Sequence, residues 1–328
     1  MDIYEFIAVS VKQNASDLHL SAANLPMLRI NGKLIRCANE ALAAEALERQ
    51  LLQTLTESQK LRFNAAHQLD YSLTVNGCRL RGNLFRQRQG IAAAFRHIPQ
   101  HIPSLRSLTP PSGLEKLSAV ENGLILFTGP TGCGKSTTLA ALLQHIAQNE
   151  ERHIVTLEDP IEFIHTSGRS LIQQREVGIH VDSFQQGLYA ALRQDPDVIL
   201  LGELRDLPTI SLALTAAETG HLVLASLHTR SVVQSVERII DVFPAQDKPY
   251  IRHQLAGALR AVVNQVLLPR RPSGRIAAFE ILINTSASAN LIREGKVHQI
   301  ESLIQTGMNL GMQTMAQAIE RHRLAGLV

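Results

Sequence analysis

The sequence predicts an α/β protein in two parts, a small N-terminal sheet domain followed by a parallel α/β core that carries a phosphate-binding loop. Three observations predict it. Apolar runs of strand length alternate with helical patterns between residues 123 and 240, the order from which parallel sheets are built. The run Gly129-Pro130-Thr131-Gly132-Cys133-Gly134-Lys135-Ser136 matches G-x-x-x-x-G-K-[ST] at every fixed position and sits between such a strand and such a helix. At 328 residues with 45% hydrophobic side chains, the chain exceeds ordinary single-domain size and can fill more than one core.

Along the first hundred residues short strands mix with helical patches. Ile3 to Gln13 has helical periodicity, Leu25 to Ile35 reads as a hairpin about Asn31-Gly32, and Ala41 to Leu55 reads as a helix. Leu69 to Val75 and Cys78 to Phe85 flank Asn76-Gly77, a two-residue hairpin signal, and Ile91 to Ile98 reads as a further strand. The four prolines Pro99, Pro103, Pro110 and Pro111 then interrupt all periodicity. The expected division is a domain over 1–98, a proline-rich linker over 99–113, and a second domain over 114–328.

In the second domain the strand candidates are Leu124 to Thr128, His153 to Leu157, Val198 to Leu201 and Leu222 to Ser226. Helical patterns fill the intervals at Thr137 to Gln148, Ser183 to Gln194, Thr209 to Glu218 and Ser231 to Ile240. After Pro249 the expectation is mostly helical, over Arg252 to Leu267, Ser286 to Glu294, Lys296 to Thr306 and Met312 to His322.

Composition narrows the class. Lys plus Arg number 32 against 29 Asp plus Glu, so no overall basic excess marks a nucleic-acid binder, and 4% aromatics without Trp leave little for base stacking. Cys37, Cys78 and Cys133 form no C-x-x-C pair and suggest neither a disulfide framework nor a zinc site, which fits a reducing cytoplasm. The N-terminus lacks the pattern of a signal peptide, and no run approaches the ~20 apolar residues of a membrane span. The expectation is a chain without a transmembrane segment of its own, recruited to a membrane if it works at one.

The loop residues predict a triphosphate site. Glycines let successive N–H groups turn onto phosphates, Lys135 adds charge at the β- and γ-phosphates, and the Ser136 hydroxyl can ligate Mg²⁺, with Thr137 opening the helix beyond. Hydrolysis also needs acids, and two acidic clusters follow strands: Glu158-Asp159-Pro160-Ile161-Glu162 and Gly202-Glu203-Leu204-Arg205-Asp206. Residues just past the carboxyl ends of parallel strands face the same crevice as the loop, although such acids also cap helices or solvate loops. His221 and His228 bracket one apolar strand; as strand-end residues, His228 falls beside the phosphates and His221 at the opposite edge. Two ordinary polar histidines fit that segment equally well.

The order of these motifs, with Asp195 to Asp206 and Ala216 to Thr229, resembles the secretion ATPase superfamily of type II secretion and type IV pili, and within it the PilT-like twitching-motility ATPases. Ala15 to Leu20 and Gly311 to Met315 extend the likeness over nearly the whole chain. The resemblance implies a PAS-like N-terminal domain, a RecA-like P-loop ATPase core with a helical C-terminal region, and a cytoplasmic homo-hexamer peripherally recruited to an inner-membrane platform protein. It implies ATP and Mg²⁺ as ligands. Glu162 takes the place of the proposed general base, Glu203 that of the Walker B glutamate near Mg²⁺, and His221 and His228 those of the γ-phosphate-sensing pair. Arg79, Arg81 and Arg96 become candidates for contacting a bound phosphate, beside the plain alternative of a solvated basic face. The run Ala287-Ser288-Ala289-Asn290-Leu291-Ile292-Arg293-Glu294 departs from the retraction subgroup's Ala-Ile-Arg-Asn-Leu-Ile-Arg-Glu, with Ser-Ala replacing Ile-Arg. The implied activity is ATP hydrolysis powering pilus dynamics or related secretion machinery; a nucleic-acid translocase on the same core is the competing reading.

Overall fold

The computed structural model describes residues 2–30, 32–98 and 101–328. The chain divides into two compact units, Met1–His101 with Glu162–Ile164, and Ile102–Ile161 with His165–Val328.

In the first unit, α1 (Ile3–Lys12) opens at a capping box in which the Asp2 carboxylate accepts from the Glu5 amide at 2.8 Å and Glu5 accepts from the Asp2 amide at 2.9 Å. It is followed by β1 (Asp17–Ser21), β2 (Met27–Ile30), β3 (Lys33–Arg36), α2 (Ala44–Gln53), α3 (Glu57–Ala66), β4 (Gln68–Val75), β5 (Cys78–Gln87) and β6 (Gly90–Ile98). The strands make one antiparallel sheet in the order β3-β2-β1-β6-β5-β4. Asn76 and Gly77 turn β4 into β5 with φ of 48° and 77°, the conformation this dipeptide favours. Asn31 of the other expected turn lies outside the described residues. Apolar residues of the helices (Ile3, Phe6, Leu51, Phe63) and of the sheet (Leu18, Leu84, Phe95) share one buried cluster.

The second unit begins with a 3₁₀ turn at Leu105–Leu108 and α4 (Ser112–Lys116). Of the stretch expected as a linker, residues 99 and 100 lie outside the described residues, and from Ile102 onward the chain packs with this unit, Leu105 being buried in its core. There follow β7 (Gly123–Thr128), α5 (Lys135–Asn149), β8 (His153–Glu158), β9 (Leu171–Glu176), α6 (Phe184–Ala191), β10 (Val198–Leu201), α7 (Leu207–Glu218) and β11 (Leu222–Leu227). The chain ends with α8 (Val232–Asp241), α9 (Lys248–Ala258), β12 (Leu259–Pro269), β13 (Arg275–Ile283), α10 (Ser286–Arg293), α11 (Ile300–Thr306) and α12 (Met315–Leu324).

Seven strands lie in the order β13-β12-β7-β11-β10-β8-β9, parallel except for β13. Every residue of β7, β10 and β11 is buried, because helices cover both sheet faces. Alternate residues of β7 feed two cores: Leu124 and Leu126 pack with α7 to α10, and Ile125 and Phe127 pack with α5. Each such side chain contributes roughly 1.5–3 kcal/mol. The strand ends, and the loops leaving them, are therefore held in place.

The helical reading of Arg252 to Leu267 is corrected. Helix α9 stops at Ala258, and the rest is β12, paired in parallel to β7 and antiparallel to β13. The physical reason is double-sided burial. Val262 enters one core while Ala261 and Val263 enter the other, so the apolar residues show no alternation and mimic a buried helix.

His165, beside β9, is partly buried, and that burial pushes its imidazole down to about 4. The folded protein thus keeps it neutral where the unfolded chain takes up a proton. Stability is full above the ordinary histidine value of 6.5 and is lost as pH falls from there toward 4, by at most about 3 kcal/mol. The melting temperature of His165→Gln should decline less between neutral pH and pH 5 than that of wild type; parallel curves would remove His165 as the cause.

Candidate active site

The phosphate loop leaves the carboxyl end of β7 and enters α5, and its glycines occupy backbone regions that other residues rarely adopt. Gly129, Gly132 and Gly134 have φ of 141°, 78° and 88°. A Cβ on Gly129 would stand 2.3 Å from the Gln265 backbone oxygen, whereas one on Gly132 would meet nothing within 4 Å. The loop is thus wedged against β12 at one end and open where it must wrap a ligand. No side chain caps α5, whose N-cap is Gly134, so its first amides are left for an anion.

Lys135 is 7% exposed. Its ammonium donates to the Gly129 carbonyl at 2.6 Å and the Pro130 carbonyl at 3.0 Å, and stands 3.5 Å from His228 Nδ1. His228 follows β11 directly, and its Nε2 lies 3.2 Å from Glu203 Oε1. The other Glu203 oxygen accepts from Arg205 Nε at 2.8 Å. With the proton on Nε2, the imidazole donates to Glu203 and accepts from Lys135, which satisfies all three groups.

Glu203 is placed by backbone. The Gly202 amide donates to the Leu157 carbonyl at 2.8 Å and the Leu204 amide to the Ser226 carbonyl at 3.0 Å, pinning the turn after β10 between the ends of β8 and β11. The Ser226 hydroxyl donates to the Gly202 carbonyl as well.

The structure therefore brings Lys135, Glu203 and His228 together at the loop. It does not bring His221, which lies at the amino end of β11, where its Nδ1 is 3.0 Å from the Ala216 carbonyl oxygen. Glu162 is exposed and groups with the first unit. Glu158, at the end of β8, accepts from the Thr156 hydroxyl at 2.7 Å and the Gln174 amide at 3.1 Å, which explains how a carboxylate only 9% exposed is tolerated.

Arg79, Arg81 and Arg96 share one face of the first unit's sheet, since Arg81 on β5 is directly opposite Arg96 on β6 and Arg79 is two residues away. Their like charges are offset by neighbours: Arg96 donates to Asp17 at 2.8 Å, Arg81 lies 3.8 Å from Asp70, and Arg79 donates to Ser72 at 3.0 Å. Burial alone would raise the Asp17 carboxyl; the hydrogen bonds from Arg96 and Ser16 outweigh it and leave the group below its ordinary value.

Two residues that serve this site were not singled out from the sequence. Arg205 holds Glu203, and its two-residue spacing in Gly-Glu-Leu-Arg was the available signal. Gln265 clamps the phosphate loop from β12, and the helical reading of that segment hid it.

A family model described as type II/IV secretion system protein matches residues 3–324. The chain belongs to this family. Among relatives in the family, an uncharacterised protein of Escherichia coli K12, YggR, is 52% identical over 99% of this chain and 98% of its own. The type IV pilus retraction ATPase PilT of Pseudomonas aeruginosa is 46% identical over 100% of this chain and 96% of its own. A crystal structure of the pilus retraction motor PilT with bound ADP superposes with a TM-score of 0.91 at 41% identity, covering 100% of this chain and 94% of that one. The fold is accordingly that of the family's motors, with a RecA-like core in the second unit. Among the described residues no helix is long and apolar enough to cross a membrane, and no group of three or more His, Cys, Asp or Glu could hold a metal. Where 287–294 departs from the retraction subgroup's run, Ser288 completes the capping box of α10 with Thr285 and donates to Asn284 Oδ1 at 2.7 Å, so the polar replacement is buried in a satisfied cap.

Proposed function

We propose that this protein is a motor ATPase, hydrolysing MgATP to power the dynamics of a type IV pilus, in the manner of retraction motors, or of related type II secretion machinery. The observation that carries the reading is the chain from Lys135 through His228 to Glu203 at the mouth of a glycine-wedged phosphate loop. A carboxylate and a hydroxyl, Glu203 and Ser136, suit a hard cation at this place, and would hold Mg²⁺ between them. Such an ion neutralises charge on the β- and γ-phosphates.

Each of the chain's own groups has a task. Lys135 exchanges its bonds to the loop carbonyls for phosphate oxygens, and the amides of Gly132 to Thr137 surround the same oxygens. His228, set between ammonium and carboxylate, registers whether Lys135 has moved. Glu162 acts as general base toward the attacking water, and His221 links β11 to the position of the neighbouring domain. Arg79, Arg81 and Arg96 lend positive charge to a phosphate across a homo-hexameric ring. The motor works in the cytoplasm, held to the inner membrane by a platform protein.

The test is phosphate release by the purified full-length chain, with its mass in solution measured with and without nucleotide. Expected are Mg²⁺-dependent ATP hydrolysis abolished by chelation, a mass of six chains, and no stimulation by DNA. Turnover indistinguishable from a buffer blank would overturn the reading, and DNA-stimulated, salt-sensitive turnover would replace it with translocation.

A further inference from the structure

Strand β12 brings a primary amide into the dry interior behind the phosphate loop. Gln265 is 2% exposed, and a buried amide without partners is costly. It has two. The Cys133 carbonyl can only accept, so the amide nitrogen faces it and donates at 2.8 Å; the amide oxygen then accepts from the Thr138 hydroxyl at 2.8 Å. One end of the amide holds the middle of the loop and the other holds the first turns of α5. Contact is close at this point of the strand, since a Cβ on Gly134 would stand 3.0 Å from Gln265 Nε2.

The preceding residue reaches the opposite face. Asn264, 1% exposed, donates to the Arg230 carbonyl at 2.8 Å and to Glu280 Oε2 at 3.2 Å, and Glu280 accepts from the Val232 amide at 3.0 Å. The segment held in this way is the one that carries His228 out of β11. Two adjacent amides on one strand therefore fasten both walls of the site.

We propose that Gln265 is a positioning residue for the nucleotide: its amide sets the shape of the phosphate loop by clamping Cys133 and Thr138 to β12. The proposal rests on the reading of this loop as an ATP site. Its consequence is specific, because the clamp needs a donor on one side and an acceptor on the other. Gln265→Glu keeps the shape and makes the donor conditional. A protonated carboxyl reproduces both bonds, donating to Cys133 and accepting from Thr138. An ionised one turns two acceptors toward each other at the Cys133 carbonyl and pushes the loop away. Burial raises a carboxyl, which brings the change within reach of ordinary buffers. Lys135 is a charged group at the same loop, its Nζ 3.9 Å from Cys133 Sγ. In Q265E its ammonium favours the ionised carboxyl and opposes the rise that burial causes; wild type has no titrating group at 265, so a pH dependence confined to Q265E belongs to that carboxyl.

The experiment measures MgADP affinity of the full-length chain at about pH 8 and about pH 5.5, with melting curves to establish folding. Q265E should bind roughly 10–100-fold more weakly than wild type at the higher pH and within about threefold at the lower. Q265L, which has neither donor nor acceptor, should be about tenfold weaker at both, with kcat retained. A Q265E deficit independent of pH, or wild-type affinity in folded Q265L, overturns the proposal. If Q265E does not fold at the higher pH, Q265L alone decides, through the KM for ATP at unchanged kcat. Failure of wild type itself to bind MgADP would instead sink the nucleotide reading on which the proposal stands.

Discussion

Glu203→Gln should yield a protein that binds ATP and fails to turn it over. The substitution preserves shape and removes one charge, and the two groups on that carboxylate are both donors: Arg205 at 2.8 Å and His228 at 3.2 Å. A glutamine oxygen can accept from one of them, and its nitrogen then faces the other. The structural cost is about 1 kcal/mol, because Arg205 is largely solvated and finds water instead. The catalytic cost is larger. Charge develops on the transferring phosphoryl group and its flanking oxygens, and on the proposed reading Glu203 would hold the cation that offsets it, so its charge would count more in the transition state than in the ground state. Expected is a fall in kcat of at least about 10²–10³-fold, with ATP affinity within about threefold of wild type and a melting temperature within a few degrees of it. Turnover near the wild-type rate would remove Glu203 from the site.

The same geometry gives nucleotide state a route out of the pocket. Lys135, His228, Glu203 and Arg205 form one chain of contacts, beginning at a buried ammonium and ending at a guanidinium 60% exposed. Displacing the first member changes what His228 can accept and hence how Glu203 is held. The strands beneath are buried on both faces and held in place, so these side chains are the part of the site free to rearrange.

How much of this the sequence exposed depended on whether a residue's task constrained its identity locally. The phosphate loop was legible because positive φ at three positions demands glycine, and the hairpin at Asn76-Gly77 for the same kind of reason. Glu203 was legible because it ends an all-apolar strand. Elements whose definition is tertiary were not. β12 reads as a helix because both its faces are buried, and with it went Gln265 and Asn264, polar residues whose partners lie far away in sequence. β1 was missed although it lies inside its sheet and alternates polar with apolar residues, since it is only five residues long and carries no β-branched or aromatic residue. α3 was missed because it buries Phe63 while Leu61 is 72% exposed; its one clear signal was the Thr56 to Gln59 capping box. The two histidines show the other limit. Strand geometry separated them by the length of β11, while the resemblance assigned them one shared task, and only His228 stands beside the loop.

Lys135→Ala should abolish both binding and turnover, and the fold should survive it. The ammonium is nearly buried, and its near neighbours include the Gly129 and Pro130 carbonyls, the His228 imidazole and the Cys133 sulfur. Taking a charge out of water is costly, and dipoles repay it only in part. Melting curves of Lys135→Ala without nucleotide establish that the variant is folded. A phosphate is a different partner. At about 4 Å and an effective dielectric near 20, an ammonium and one phosphate charge attract by about 4 kcal/mol, and a triphosphate presents more than one such charge. Even after the desolvation of both groups, the loss should weaken MgATP binding by at least about 10²-fold and leave no measurable kcat. Lys135→Arg should not rescue it, because a planar guanidinium needs more room than the space beneath the Gly129 and Pro130 carbonyls in which a compact ammonium makes 2.6 and 3.0 Å bonds. Binding titrations and phosphate release on the two variants decide this: MgATP affinity near that of wild type in Lys135→Ala would mean that the ammonium belongs to the loop's own structure and not to its ligand.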